Sequence, residues 1–117
     1  TVLKQHPDVC GIIGFWDGQD IGIAAAIREA GLTGKVFVAT SGGGQQLSSC
    51  DLVKSGAFGV DYSYDAMHQG SDMAAMATWM LQSGLKAGQA HGSIYSTLTP
   101  ITKANASDPG VCWKLSK

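Results

Sequence analysis

The stretch Cys10–Gly31, CGIIGFWDGQDIGIAAAIREAG, decides the fold. Ile12, Ile13, Phe15 and Trp16 make an apolar run too short for a helix and framed by glycines, which predicts a buried strand. Asp17 then occupies the expected N-cap of a helix, with Asp20 three residues on; both suit the positive end of a helix dipole. Ile23, Ala24, Ile27 and Ala30 recur on one helical face, and Gly31 closes the helix. Strand, tight turn and helix are half of a βαβ unit. Trp16 and Asp17 therefore fall at the carboxyl end of a strand, where open α/β sheets bind ligands.

The chain outward from this stretch repeats the pattern. Lys35–Thr40, KVFVAT, is a second β-branched run, and a whole helix separates it from the first. Two parallel strands joined by a right-handed crossover follow. Gly42, Gly43 and Gly44 lead into a helix from about Gln45 to Ser55, ended by Gly56, with Leu47, Cys50 and Val53 as its expected buried stripe. A third strand, Phe58–Tyr64, contains Asp61 and is expected near an edge or a cleft. Asp65 caps the longest helix, which runs to about Ser83 with Met73, Ala77 and Met80 on one face and Gly84 as its stop. Upstream, Thr1–Pro7 reads as the end of a helix stopped by proline. Downstream, Ile94–Lys103 is extended, with Pro100 barring a central strand position, and Asn105–Lys117 reads as a loosely structured tail. The order predicts an α/β fold: a three-layer, doubly wound, mainly parallel sheet.

A chain of 117 residues suits one small domain. Eight basic against nine acidic residues give no electrostatic footprint for nucleic acid. No apolar run approaches the ~20 residues of a membrane-spanning helix. The sequence starts at Thr1, inside a helical pattern, so a segment upstream is expected to have been removed. Cys10, Cys50 and Cys112 form no CxxC and no Cys/His cluster, which argues against a zinc or thioredoxin-type site. One disulfide with one free thiol and three buried thiols both remain open, and Cys50–Cys112 is the first pair to test.

The chemical candidates separate by spacing. The triple glycine matches neither GxGxxG nor GxxxxGK[ST], so it reads as a flexible turn rather than a phosphate loop. His6, His68 and His91 have no partner at ligand spacing, and a GxSxG elbow is absent. Asp17, Asp61 and Asp65 could meet at one edge for acid–base or metal chemistry, but Asp17 and Asp65 are better explained as helix caps. Met67, Met73, Met76 and Met80 read as core or lobe-packing residues. There remain Trp16, Ser41 and Tyr64, each at the carboxyl end of a strand. Aromatic faces over C–H surfaces, with hydroxyls for oxygens, suit a small polyhydroxylated ligand.

The succession HPDVCGIIGFWDGQDIGIAAAIREAGLTGKVFVATSGG, VKSGAFGVDYSYDAMHQG and TPITKAN resembles the carboxyl-terminal lobe of type I periplasmic sugar-binding proteins, the solute receptors of bacterial ABC importers. The resemblance spans residues 1–106 and leaves residues 107–117, with Cys112 and Trp113, as a tail outside it. It implies a non-catalytic receptor without metal or cofactor, in the periplasm or as an extracytoplasmic lipoprotein. Its implied partners are a sugar or polyol, a missing amino-terminal lobe and the membrane permease of the transporter, but no nucleic acid. Ile94–Thr99 would be a hinge segment. Where such lobes carry Asn, Asp and Gln toward the sugar, this chain has Trp16, Ser41 and Tyr64, which implies more stacking and fewer charge-assisted bonds. The ligand-binding set it implies is Trp16, Asp17, Ser41 and Tyr64, with Asp17 held as a cap. The exposed cleft face could also drive self-association. Two other readings use the same fold: the effector lobe of a LacI-type transcription regulator, and a free-standing single-lobe interaction domain. An enzyme using Asp17 and Asp61 is the third class.

Overall fold

A computed structural model describes residues 2–89 and 92–114. His91 lies outside the described residues. The elements are α1 (Val2–Gln5), β1 (Gly11–Ile13), α2 (Asp17–Glu29), β2 (Phe37–Gly42), a π-helical turn (Gln46–Cys50) running into α3 (Asp51–Ser55), β3 (Val60–Ser63), α4 (Ala66–Gln82) and β4 (Thr99–Ile101). The four strands form one sheet in the order β1-β2-β3-β4. β1, β2 and β3 are parallel and β4 is antiparallel to β3, so the sheet is mainly parallel, as the sequence predicts. Pro100 sits in the edge strand β4, where its missing N–H costs no ladder bond on the open side.

The core lies between the sheet and the helical layer of α2 and α3. Val38, Val53, Phe58 and Ile101 are wholly buried there, with Ile27 and Val36 beside them. Successive right-handed crossovers in one direction along the sheet carry α2 and α3 to the same face. The other face is open: Ile13, Phe37 and Tyr62 are exposed on it, and for Phe37 and Tyr62 the adjoining residues Val38 and Asp61 are buried on the opposite face. Of the three expected layers, the described residues supply the sheet and one helical layer.

Four sequence expectations change. The first strand is an exposed edge rather than a buried one: Ile12 is half-buried while Ile13, Phe15 and Trp16 are exposed, because no described helix covers the face of the sheet that Ile13 shares with Phe37. β3 is interior, paired on both sides, and Asp61 is fully buried. Leu47 is 71% exposed although Cys50 and Val53 are buried. The segment starts as a π-helical turn, in which the Asp51 N–H bonds the Gln46 carbonyl five residues back. The wider turn rotates Leu47 off the stripe that 3.6-residue spacing assigns to it.

The fourth change concerns α4. It starts at the Asp65 cap, whose side chain accepts from the His68 N–H, and Gly84 follows it at φ 68°. No residue of α4 is buried: Met67, Met73, Trp79, Met80 and Leu81 are exposed, and Met76 is half-buried. The methionine stripe is thus no part of the core: α4 is tied at its first residue, Ala66, to Gly43 just past the end of β2, and further along it meets the irregular segment after it, as at Gln69 to Ser96. The radius of gyration is 18.3 Å, against roughly 13 Å for a compact chain of this length. The accessible surface, 8180 Å², exceeds the roughly 6,000 Å² of a compact monomer of this mass. Truncating Phe58 to Ala should cost about 3–5 kcal/mol in urea unfolding. Leu47→Ala should stay within about 0.5 kcal/mol; a large loss there would contradict its exposed placement.

Candidate functional site

The carboxyl ends of β1, β2 and β3 bring together the residues singled out from the sequence. Trp16 is the N-cap residue of α2, in extended conformation (φ −148°, ψ 129°), with no side-chain cap bond. Its ring lies over Gly18, where a methyl group would come within 2.8 Å of it, and the residue remains half exposed. Ser41 is half-buried, and its hydroxyl donates to the Phe15 carbonyl at 2.8 Å, tying the end of β2 to the end of β1. Tyr64 is half-buried; its N–H donates to the Gly42 carbonyl at 2.9 Å, and its ring lies beside Gly43.

Asp17 is the first residue of the helix proper rather than its N-cap, because Trp16 takes the extended cap conformation. Its carboxylate accepts from the Gly18 N–H at 2.6 Å and the Ser48 hydroxyl at 2.8 Å. At 3% exposure it faces the sheet, not an open cleft. Gly42 makes this approach possible, since a methyl there would lie 2.2 Å from the carboxyl carbon. Asp20 repeats the arrangement: it accepts a short bond from the Thr40 hydroxyl at 2.5 Å, in space that a side chain on Gly14 would fill.

Asp61 lies in the same buried layer with both carboxyl oxygens unpartnered, and the Ser49 hydroxyl is likewise buried without a completed hydrogen bond. Burial pushes the Asp61 carboxyl up from 3.8 to about 6; Ser49 beside it counteracts part of the rise, while Asp17 and Asp20 add to it through like charge. Asp20 escaped the sequence reading, in which first-turn acids count only as dipole partners. The signal that could have found it is the glycine at each strand end, Gly14 and Gly42, which leaves room for a carboxylate to lie on the sheet. Asp65, by contrast, is at the surface, paired with His68. The expected meeting of Asp17, Asp61 and Asp65 is therefore replaced by Asp17, Asp20 and Asp61.

A fully buried carboxyl cannot reach a substrate, so this layer is a poor acid–base centre. Among the described residues no group of His, Cys, Asp or Glu is spaced to hold a metal ion. A recess of about 620 Å³ lies along the π-helical turn and the tail, lined by residues that include Gln45, Lys54 and Asp108, but not Trp16, Ser41 or Tyr64. The strand-end residues make a ledge that no cavity among those described encloses: Trp16 is half exposed, and Ser41 and Tyr64 are half-buried. Such a ledge can stack on one side of a small ligand.

The disulfide joins Cys50 to Cys112, and Cys10 is free and exposed. The described part of the tail, to Lys114, is not loose. Trp113 donates its indole N–H to the Gly43 carbonyl at 2.8 Å, and Ala106 is buried.

No protein-family model and no curated protein matches the sequence. Solved structures do match. An ABC transporter periplasmic solute-binding protein from Actinobacillus succinogenes 130z, with bound D-allose, superposes with a TM-score of 0.76 at 24% identity over 90% of this chain and 35% of that one. One from Agrobacterium vitis with bound D-fucose gives 0.78 at 24% identity over 94% of this chain and 36% of that one. A carbohydrate transporter solute-binding protein from Agrobacterium radiobacter with D-arabinose gives 0.77 at 23% identity over 94% and 35%. The chain therefore spans about a third of the length of these proteins, which are binding proteins rather than enzymes.

Ionisation of Asp61 sets a pH dependence with a definite sign. Between pH 3.8 and about 6 the folded chain holds a proton that the unfolded chain releases, so stability falls as pH rises through that window. Above it, the ionised carboxylate costs about 3 kcal/mol. Asp61→Asn should raise the Tm at pH 7.5, leave it nearly unchanged at pH 4, and flatten the profile between. A variant that kept the wild-type slope would place the titration elsewhere. The conclusion from geometry and superposition together is one of fold: this chain has the fold of one lobe of the periplasmic sugar-binding proteins of ABC transporters.

Proposed function

We propose that this chain is part of the solute-binding component of a bacterial ABC importer, binding a sugar or polyol at the ledge of Trp16, Ser41 and Tyr64. The observation that carries the reading is the coincidence of two facts. The fold matches receptors solved with D-allose, D-fucose and D-arabinose, and the strand ends of that fold carry aromatic rings and hydroxyls in this chain. Asp17 stays a structural residue here, since its carboxylate is spent on Gly18 and Ser48. The protein acts without catalysis, in the periplasm or anchored outside the cytoplasmic membrane.

The chain forms the carboxyl-terminal side of the cleft, and an amino-terminal lobe supplies the other. Support comes from what is left uncovered. α4 buries none of its own residues yet carries Met73, Trp79 and Met80, and the irregular segment after it exposes Ile94, Tyr95 and Leu98. Apolar surface of this extent calls for a partner body. Ile94–Thr99 serves as one of the hinge connections between the lobes, and the open face of the sheet around Ile13 and Phe37 packs against further helices of the receptor. Closure over a ligand held between two lobes then presents the closed form to the permease.

The test is isothermal calorimetry of the full-length receptor against pentoses, hexoses, 6-deoxyhexoses and polyols. Trp16→Ala should weaken the best ligand at least tenfold, as loss of one stacking ring and its water exclusion requires. Ser41→Ala should have a smaller effect, because its hydroxyl already serves the Phe15 carbonyl. Unchanged affinity in the Trp16 variant would sink the site assignment. Absence of any sugar or polyol ligand, with tight binding of a DNA operator, would turn the reading to a transcription regulator.

A further inference from the structure

The triglycine loop is the least self-sufficient part of the ledge. Gly42, Gly43 and Gly44 carry no side chains, and Gly44 takes φ 77°, a conformation that glycine reaches freely but also leaves freely. Gly42 closes β2 and accepts the Tyr64 N–H at 2.9 Å, while in the loop beyond it the carbonyl of Gly43 accepts the Ala66 N–H at 3.4 Å at the start of α4. The Tyr64 ring would lie 3.7 Å from a methyl on Gly43. Any wandering of Gly43 disturbs the packing beneath the Tyr64 ring and the start of α4.

The tail meets this loop at the carbonyls of Gly43 and Gly44. Trp113 donates its indole N–H to the Gly43 carbonyl at 2.8 Å and its backbone N–H to the Gly44 carbonyl at 3.1 Å. Its own carbonyl accepts from the Gln46 N–H at 2.8 Å. The backbone bonds make a parallel bridge between Gln45 and Trp113, so one tail residue does the work of a neighbouring strand. The adjoining Cys112 is bonded to Cys50, a fully buried residue 62 positions away. That covalent tie keeps Trp113 at the loop even when its hydrogen bonds open.

The geometry points to Trp113 as a positioning residue of the binding ledge, pinned by the Cys50–Cys112 disulfide so that the triglycine loop, and Tyr64 upon it, are held in place before ligand arrives. A loop ordered in advance leaves less entropy to lose on binding. The functional consequence rests on the sugar-binding reading above; the brace itself does not. Trp113 touches the loop rather than the ligand, and acts through Gly43.

The experiment is amide hydrogen exchange on the full-length protein and on Trp113→Ala and Trp113→Phe, the second keeping an aromatic ring but losing the indole N–H. Exchange at Tyr64 and Ala66 should accelerate at least tenfold in Trp113→Ala and by an intermediate factor in Trp113→Phe, with Val38 and Thr40 in β2 unchanged. Wild-type exchange rates at Tyr64 and Ala66 in either folded variant would overturn the brace. If Trp113→Ala fails to fold, Trp113→Phe decides alone. Calorimetry with D-allose, D-fucose and D-arabinose then reads the positioning role. Trp113→Phe should raise the Kd of whichever sugar binds roughly 2- to 10-fold, with little change in Tm. An unaltered Kd would refute it. If none of the three sugars, nor any in the wider screen, binds the wild-type protein, the sugar-binding reading fails, and the exchange rates still decide the brace.

Discussion

Three carboxylates share the buried space between the first turn of α2 and the carboxyl ends of the strands, and no described lysine or arginine is hydrogen-bonded or ion-paired to any of them. This constraint shapes the local structure. Buried carboxylates survive only where they are hydrogen-bonded or neutralised. Asp17 uses Gly18 and Ser48, Asp20 uses Thr40, and Asp61, left without partners, holds its proton to higher pH. Gly14 and Gly42 are glycines because the carboxylates occupy the space of their side chains. Ser48 and Thr40 carry hydroxyls for the same reason, and together they fasten α2 and the π-helical turn to the sheet just beneath the ledge.

Above this floor the ledge is built from backbone more than from side chains. Ser41 secures the Phe15 carbonyl, Gly42 receives Tyr64, and Gly43 receives Trp113. What is left to face outward is aromatic. Polar groups are consumed in holding the strand ends together.

The same division explains the exposed surfaces. The face of the sheet under α2 and α3 is finished, with Val38, Phe58 and Ile101 fully buried. The opposite face and α4 are not. Both leave large apolar side chains exposed, and the solved proteins of this fold are about three times as long.

Much of the topology was legible in the residues. Gly31, Gly56 and Gly84, each at positive φ, end helices where the sequence placed them, and the β-branched runs gave parallel strands in the expected order. These are local matters, decided by backbone conformation and short-range periodicity. Burial was not local. Ile13 and Phe15 read as core because they are apolar, but no described helix covers that side of β1; Met73 and Met80 have core spacing, but no described strand lies beneath α4. Leu47 was misplaced because helical spacing assumes a 3.6-residue turn. By itself, then, the sequence determined the element order, the helix stops and the residues at the strand ends. Tertiary structure alone decided which apolar faces are covered, that Asp20 joins Asp17 and Asp61, and that Cys112 brings Trp113 to Gly43. Those facts depend on residues distant in sequence meeting in space, which no local pattern encodes.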